Sequence, residues 1–361
     1  MYNKDITRCN ENRYSVQFSI IQYKKIEKLF YDFDYWLMRQ NDRESLSYQD
    51  YVNTLLDKYK KRIEKILNNN NEGNKTLLEQ INANISIIKS IIKDYLDGKI
   101  LQSIQKTIDL VSNNKGGCVN DNRIVPIWYK GRLFSDIDYL RNAVRSQKDW
   151  KPSAKDMGII PNTMRHLANT QRFSMLGFPC LYLGSSIIDC IKECRANESG
   201  FFFAAKYEGE TFNKLQVADF RIPRYKKNND KICEDLKTWP IVIACAIKVP
   251  KEKENGALFK DEYIFPQLLM LSIKECDNVD ACIYTSVHRE EPLLMDNVSL
   301  WDNLAIPYSN IYESIFTPSE NSISYIDIAK EIKSFQEKHN RTKKSCWLNK
   351  LMSKFLISNY Q

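Results

Sequence analysis

Proline and glycine are scarce over the first third of the chain. All eleven prolines lie at or after Pro126, and the first 111 residues contain two glycines, Gly73 and Gly98. Because these are the residues least compatible with a helix interior, this stretch is predicted to be helical. Apolar residues also recur there at helical spacing, which predicts about four helices that pack as an antiparallel bundle.

Histidine is rarer still, and the cysteines form no metal-binding pattern. The three histidines are widely spaced, and the ten cysteines include no CxxC pair. A zinc site needs ligands at close, defined spacings, so no metal is expected. The scattered cysteines are instead predicted to be free thiols in a reducing compartment.

Long hydrophobic runs and dense charge of one sign are also missing. No apolar run approaches the roughly 18–20 residues needed to span a bilayer, and no apolar signal region follows the N-terminus. The 53 basic and 45 acidic residues give a net charge of +8 that is spread along the chain. We therefore expect a cytoplasmic protein whose partner is neither a membrane nor a nucleic acid.

The texture of the sequence changes after a polar linker at 112–117, beyond which short apolar runs are broken by proline, glycine and asparagine. The fold class is therefore predicted as α+β, with an all-helical bundle over 1–121 followed by a mixed α/β domain over 122–326. A helical tail is predicted over 327–361, with Trp347, Leu351 and Phe355 on a face that docks on the protein itself. Strands are predicted at 124–129, 180–183, 200–206, 215–220, 241–249 and 281–284, and helices at 136–147, 186–196, 264–275 and 323–339.

Residues suited to chemistry are concentrated between 171 and 193. Arg172 precedes a Gly/Pro turn, Tyr182 lies on a short strand, and Ser186 with Asp189 fits a helix N-cap ahead of Glu193. The motifs GxxxxGK, GxGxxG and GxSxG do not occur, which argues against P-loop, dinucleotide-fold and serine-hydrolase chemistry. The residues alone leave two interpretations open, an ordinary turn–strand–helix with solvated charges or a substrate site.

This stretch resembles the RES domain family, which is named for its arginine, glutamate and serine. Arg172, Tyr182 and Glu193 keep the family's order at separations of ten and eleven residues, and Ser286 follows Tyr284 at the end of a late strand as the serine does. The segment 265–268 resembles the helix start that precedes this strand. The resemblance covers about 122–300, and the helical region before it resembles the HEPN-like bundles found ahead of some RES domains.

Two positions depart from the family pattern. Ser174 stands where asparagine is usual, and Lys130 stands where the opening strand usually carries arginine, which leaves the role of Arg132 open. Residues 1–122 also lack the histidine that ribonucleases of the HEPN class require, so ribonuclease activity is not expected of the bundle.

The resemblance implies an ADP-ribosyltransferase-like fold and an enzyme that cleaves the nicotinamide–ribose bond of NAD⁺, with no cofactor beyond NAD⁺ as substrate. It implies that Glu193 stabilises the cationic ribose and that Arg172 binds the pyrophosphate. Tyr182 and Ser286 would contact the nicotinamide or the ribose, in roles that could be exchanged. The further NAD⁺-binding residues that it implies are Tyr284, Tyr129, Lys130 and Arg132.

The acceptor of the ADP-ribosyl group stays open among water, phosphate and a protein side chain, with water or phosphate favoured. The rival from another class is a non-enzymatic interaction module on a RES scaffold. Characterised RES members are often toxins held by an antitoxin, so the expected roles are NAD⁺ depletion as a toxin or in antiviral defence. An antitoxin or regulatory protein and a second copy of the chain are the partners that this implies. We also expect residues 1–121 to hold the enzyme in a low-activity or assembled state.

Overall fold

The structure is a computed structural model. It describes residues 16, 18–39, 46–67, 72–114, 118–119, 127–136, 138–139, 142, 150–196, 200–208, 212, 215–223, 229–250, 257–276, 279–289, 301–309 and 316–339. The linker is predicted at 112–117, but residues 112 and 113 belong to the helix Ile100–Asn113. Residues 115–117 and the predicted tail beyond residue 339, with Trp347, Leu351 and Phe355, lie outside the described residues. None of the helices within them has both the length and the apolar character needed to cross a membrane.

Four helices form the N-terminal region, as the sequence predicts. They are α1 (Ile20–Arg39), α2 (Tyr48–Leu67), α3 (Glu72–Leu96) and α4 (Ile100–Asn113). The apolar positions on α2 and α3 that recur at helical spacing are the buried ones, from Val52 to Ile63 and from Leu77 to Ile92. Gly98 lies between α3 and α4 with a φ of 78°, a conformation that glycine adopts without steric cost.

The second region is built on one mixed sheet of eight strands. The strands are β1 (Cys118–Val119), β2 (Ile127–Phe134), β3 (Cys180–Gly184), β4 (Phe201–Glu208), β5 (Val217–Phe220), β6 (Ala281–Thr285), β7 (Asp302–Pro307) and β8 (Ile323–Tyr325). Their order across the sheet is β1-β5-β6-β7-β3-β2-β4-β8. The pair β5 and β6 is parallel, whereas the other six pairs are antiparallel. This is a mixed α+β architecture, as the sequence predicts.

Helices cover one face of this sheet in two groups. The helices of this region are α5 (Ala154–Met157), α6 (Ile187–Glu193), α7 (Asn229–Cys245), α8 (Ile264–Glu275) and α9 (Ile328–His339). One cluster of buried side chains joins α7 and α8 to the β5, β6 and β7 side of the sheet. A second cluster joins α6 and α9 to β2 and β4. This face therefore carries two groups of helices side by side, whereas Met157 of α5 packs in the cluster on the opposite face of the sheet.

The N-terminal helices pack directly on α7 and α8. Phe30 of α1 packs edge-on against Trp239 of α7, with ring centroids 4.7 Å apart. The Tyr59 hydroxyl donates to the Leu236 carbonyl at 2.7 Å, and this contact is buried. One apolar cluster runs from α1–α4 through α7 and α8 to the sheet. The division of the chain at residue 121 into separable units stays a prediction.

Several elements differ from those predicted. The predicted strand at 241–249 is wrong, because residues up to Cys245 continue helix α7. The run Ile241–Ala244 is apolar and buried throughout, and such a run has no periodicity that separates a helix from a strand. The strands β1, β7 and β8 were not predicted, and the last described helix begins at Ile328 rather than 323. The predicted helix at 136–147 falls mostly outside the described residues.

Candidate active site

A row of paired residues crosses the middle of the sheet. Asn303 of β7 pairs with Tyr284 of β6 on one side and with Gly184 of β3 on the other, and Gly184 pairs with Tyr129 of β2. Side chains that are directly opposite one another in such pairs share one face of the sheet. The row therefore aims Tyr284, Asn303 and Tyr129 at the face on which α6 packs.

Helix α6 brings Glu193 to this row. Ser186 caps the helix, because its side chain accepts the Asp189 N–H at 3.1 Å, as the sequence predicts. At Gly184 a β-carbon would lie 2.9 Å from Cys190 Sγ and 3.2 Å from Asp189 Oδ2. Glycine at this position therefore lets α6 lie close against β3, with Asp189 and Glu193 on the same side of the helix.

The Glu193 carboxylate is held by donors from two other elements. The Ser286 hydroxyl donates to Glu193 Oε1 at 2.5 Å, and Asn303 Nδ2 donates to the same oxygen at 2.7 Å. His288 Nε2 lies 3.8 Å from Glu193 Oε2. The Glu193 side chain nevertheless remains 30% exposed. The carboxylate is thus fixed in orientation on one side and open to an incoming group on the other.

Asp189 interacts electrostatically with Glu193 and with a second acid, Asp302. Asp189 and Asp302 are fully buried. Burial raises the pKa of Asp189 well above its usual range, and the nearby Glu193 and Asp302 raise it further. Asp302 lies 3.4 Å from the guanidinium of Arg221. Burial of Asp189 therefore disfavours a second negative charge beside the Glu193 carboxylate.

Two tyrosines line the same face beside the site. The Tyr182 hydroxyl accepts the Phe173 N–H and donates to Ser174 Oγ, both at 3.1 Å. The Tyr284 ring packs against Phe173 with centroids 4.4 Å apart. Burial raises the pKa of both tyrosines well above the usual range, and Glu193 raises that of Tyr284 further. Ser174, where the RES pattern has asparagine, thus orients Tyr182.

Arg172 points towards the end of α7 rather than to Glu193. Its Nη1 donates to the carbonyls of Cys245 at 3.0 Å and Ile247 at 2.8 Å. The guanidinium also lies 5.3 Å from the centroid of the Tyr263 ring. These carbonyls lie at the C-terminus of α7 and just beyond it, where the helix dipole favours a cation. Arg172 therefore anchors its turn, and its role in binding pyrophosphate stays a prediction.

Lys130 and Arg132 lie on the opposite face of the sheet from Glu193. The Lys130 ammonium donates to the Gly158 carbonyl, and Arg132 Nη1 donates to the Asp156 carbonyl at 2.7 Å. Burial, followed by the neighbouring Arg132, lowers the pKa of Lys130 to about 8. The structure thus brings together Glu193, Ser286 and Tyr284, but it does not bring these two cations to them.

Three residues that the sequence analysis left out of its site contact Glu193 or lie beside it, namely Asn303, Asp189 and His288. The spacing of four residues between Asp189 and Glu193 is a signal for a shared helix face, although we assigned Asp189 only to the cap. His288 lies two residues after Ser286, and the sequence assigns it no role. Asn303 gave no signal, because its strand was not predicted.

A cavity of about 370 Å³ lies at the other end of β3. Its walls include Ser174 and Cys180, together with the basic side chains of Arg165 and Lys274. Glu193 is not part of these walls. The open side of the Glu193 carboxylate and this cavity are therefore separate features, with Tyr182 on the strand between them.

Comparison with known proteins links part of the chain to one named as a toxin. The chain is 29% identical over 177 residues to the "Putative toxin YopC" of Bacillus subtilis (strain 168). The aligned part is 43% of this chain and 38% of that protein, so the chain spans well under half of its relative's length. No model of a protein family matches the sequence, and no solved structure matches it significantly.

Proposed function

We propose that the protein is a RES-type enzyme that cleaves the nicotinamide–ribose bond of NAD⁺. The observation that carries this proposal is the Glu193 carboxylate, oriented by Ser286 and Asn303 and exposed on its other side. The glutamate and the serine that the RES resemblance singles out are 93 residues apart in sequence, yet their side chains are hydrogen-bonded.

The chemistry needs one well-placed carboxylate. When the bond between the ribose carbon and the nicotinamide nitrogen breaks, its electron pair leaves with nicotinamide, which departs as a neutral molecule. The ribose is left with positive charge, which a fixed carboxylate stabilises. Water then adds to the ribose carbon and releases a proton. Because the leaving group needs no proton, a second catalytic acid is not required.

The similarity to a protein named as a toxin supports a toxic role. An enzyme that depletes NAD⁺ would stop the metabolism of the cell that contains it, so it needs restraint until it is required. We propose that a separate antitoxin or regulatory protein supplies this restraint, either in a toxin–antitoxin pair or in defence against phage.

Incubation of the purified protein with NAD⁺ tests the activity directly. With water as acceptor the products are nicotinamide and ADP-ribose. If phosphate is the acceptor, added inorganic phosphate gives nicotinamide and phosphorylated ADP-ribose. Product masses separate the two outcomes. Glu193→Gln, which keeps the shape but removes the charge, should abolish NAD⁺ loss while the melting temperature stays close to that of the wild type. Unchanged NAD⁺ in the wild-type reaction, or full turnover in folded Glu193→Gln, would refute the proposal.

A further inference from the structure

A buried ion pair connects the N-terminal helices to the loop that carries Ser286. Arg289 Nη2 donates to Asp34 Oδ1 of helix α1, across 255 residues of sequence. The two side chains are only 3% and 2% exposed. Two charges are seldom withdrawn from water so completely unless each is satisfied by a partner. This contact therefore fixes the position of Arg289 relative to α1.

The same arginine holds the backbone of the serine. Arg289 Nε donates to the Ser286 carbonyl at 3.1 Å. The His288 N–H in turn donates to Ser286 Oγ at 3.2 Å. Ser286 is therefore held by two hydrogen bonds, one from His288 and one from Arg289. The Ser286 hydroxyl then donates to Glu193. An unbroken series of polar contacts thus leads from α1 to the candidate catalytic carboxylate.

Helix α1 also contacts this part of the site through an apolar side chain. Leu37, one turn beyond Asp34, lines a small cavity of about 20 Å³ together with Tyr284, Ser286 and Arg289. Asp34 and Leu37 are three residues apart and therefore lie on the same side of the helix. One face of α1 is accordingly packed against the end of β6 and the loop that follows it.

We propose that Asp34 is a positioning residue for the reaction, acting through Arg289 to set the position of Ser286 and thereby of Glu193. The N-terminal helices are then a structural part of the active site. This inference rests on the proposed function for its kinetic consequence, whereas the anchoring of the loop can be measured without NAD⁺.

The experiment uses the full chain with a double substitution, Asp34→Leu with Arg289→Met. Removing one charge alone would leave the other buried and could unfold the protein, whereas replacing both by apolar side chains is often neutral for stability. The double variant should keep the wild-type melting temperature and lose about tenfold or more in kcat, because the serine is no longer held in place. Arg289→Lys keeps the charge but lacks the Nε–H that is bonded to Ser286, so it should also lose kcat, although less than the double variant does.

Tyr59→Phe is the matched control. It removes another buried contact between the N-terminal helices and the second region, but one made to Leu236 of α7 rather than to the loop that carries Ser286. It should lower the melting temperature and leave kcat within about twofold of the wild type.

Amide hydrogen exchange over residues 281–289 gives the readout that is independent of activity. Faster exchange in the double variant, with unchanged exchange in Tyr59→Phe, supports the proposed anchoring of the loop. This holds even if the wild-type protein leaves NAD⁺ intact, because that result would refute only the proposed enzymatic function. Wild-type kcat in the folded double variant, or exchange of the loop equal to that of the wild type, overturns it.

Discussion

At the scale of residues, Glu193 depends on two donors that come from different strands. Ser286→Ala and Asn303→Ala each remove one hydrogen bond to Glu193 Oε1. A bond to a charged group contributes about 1.5–3 kcal/mol, so each variant should lose about ten- to a hundredfold in NAD⁺ turnover. Steady-state kinetics below the melting temperature measures the loss.

Ser324→Ala on the exposed edge strand β8 is the control for these substitutions, because it removes a hydroxyl far from the site. Its turnover should equal that of the wild type. If Asn303→Ala also had wild-type turnover, the amide would have no part in orienting the carboxylate.

Asp189 gives a prediction about the pH dependence of stability. Burial raises its pKa in the folded protein above the unfolded value of about 3.9. The folded state therefore binds the proton more tightly, and its stabilising contribution falls as the pH rises above about 4 until the folded pKa is reached. Asp189→Asn cannot ionise, so its stability relative to the wild type should increase by up to about 1.4 kcal/mol for each pH unit over that window.

Urea unfolding at several pH values between 4 and 8 tests this pH dependence. Asp109→Asn, which removes a carboxyl at an exposed position on α4, is the control. A constant difference between Asp189→Asn and the wild type across the range would mean that Asp189 is ionised in the folded protein.

At the scale of elements, the contact between α6 and β3 requires Gly184. Alanine there would place its β-carbon 2.9 Å from Cys190 Sγ and 3.2 Å from Asp189 Oδ2. The helix would have to move away from the strand, which should cost about 1–3 kcal/mol of stability and displace Glu193 from its donors. Gly184→Ala is thus expected to lose both stability in urea and NAD⁺ turnover.

Gly158→Ala is the matched control for Gly184→Ala. Its nearest neighbours lie at 3.5 Å, which is ordinary contact distance, and its φ of −82° suits any residue. This variant should unfold within about 0.5 kcal/mol of the wild type. If the two substitutions had equal effects, crowding between residue 184 and α6 would not be the cause of the losses in Gly184→Ala.

The elements also show why the sequence predicted part of this fold and not the rest. Helices α1–α4 could be predicted because one face of each is buried and the other is exposed to solvent, so apolar residues recur at helical spacing. The segment Ile241–Ala244 is buried on all sides, so it has no such period and was assigned to a strand. Glu193 and Ser286 lie on recognisable motifs, whereas Asn303 reaches the site only through the pairing of β7 between β6 and β3.

At the scale of the whole molecule, the N-terminal helices and the α+β region share one apolar core. Trp239 of α7 lies fully buried against Phe30 and Phe33 of α1, and Asn84 of α3 donates to the Lys237 carbonyl at 3.0 Å. A segment that begins near Cys118 would expose the faces of α7 and α8 that these helices cover. Removal of residues 1–117 is therefore expected to cause aggregation, rather than release an enzyme of higher activity.

Cutting the chain at the linker without removing the N-terminal helices tests whether the linker or the shared core holds the two regions together. The glycines at 116 and 117 should make this linker a site of limited proteolysis. Because the shared core does not depend on that peptide bond, the two fragments should stay together on native size exclusion, and they should separate only on a denaturing gel. The nicked complex should keep its NAD⁺ turnover, since Asp34 and Arg289 remain in contact.

Trp239→Ala, which opens a cavity between α1 and α7, should make the same nicked fragments dissociate. Separate elution of the wild-type fragments would mean that the contacts between α1–α4 and α7 are too weak to hold the two regions as one body.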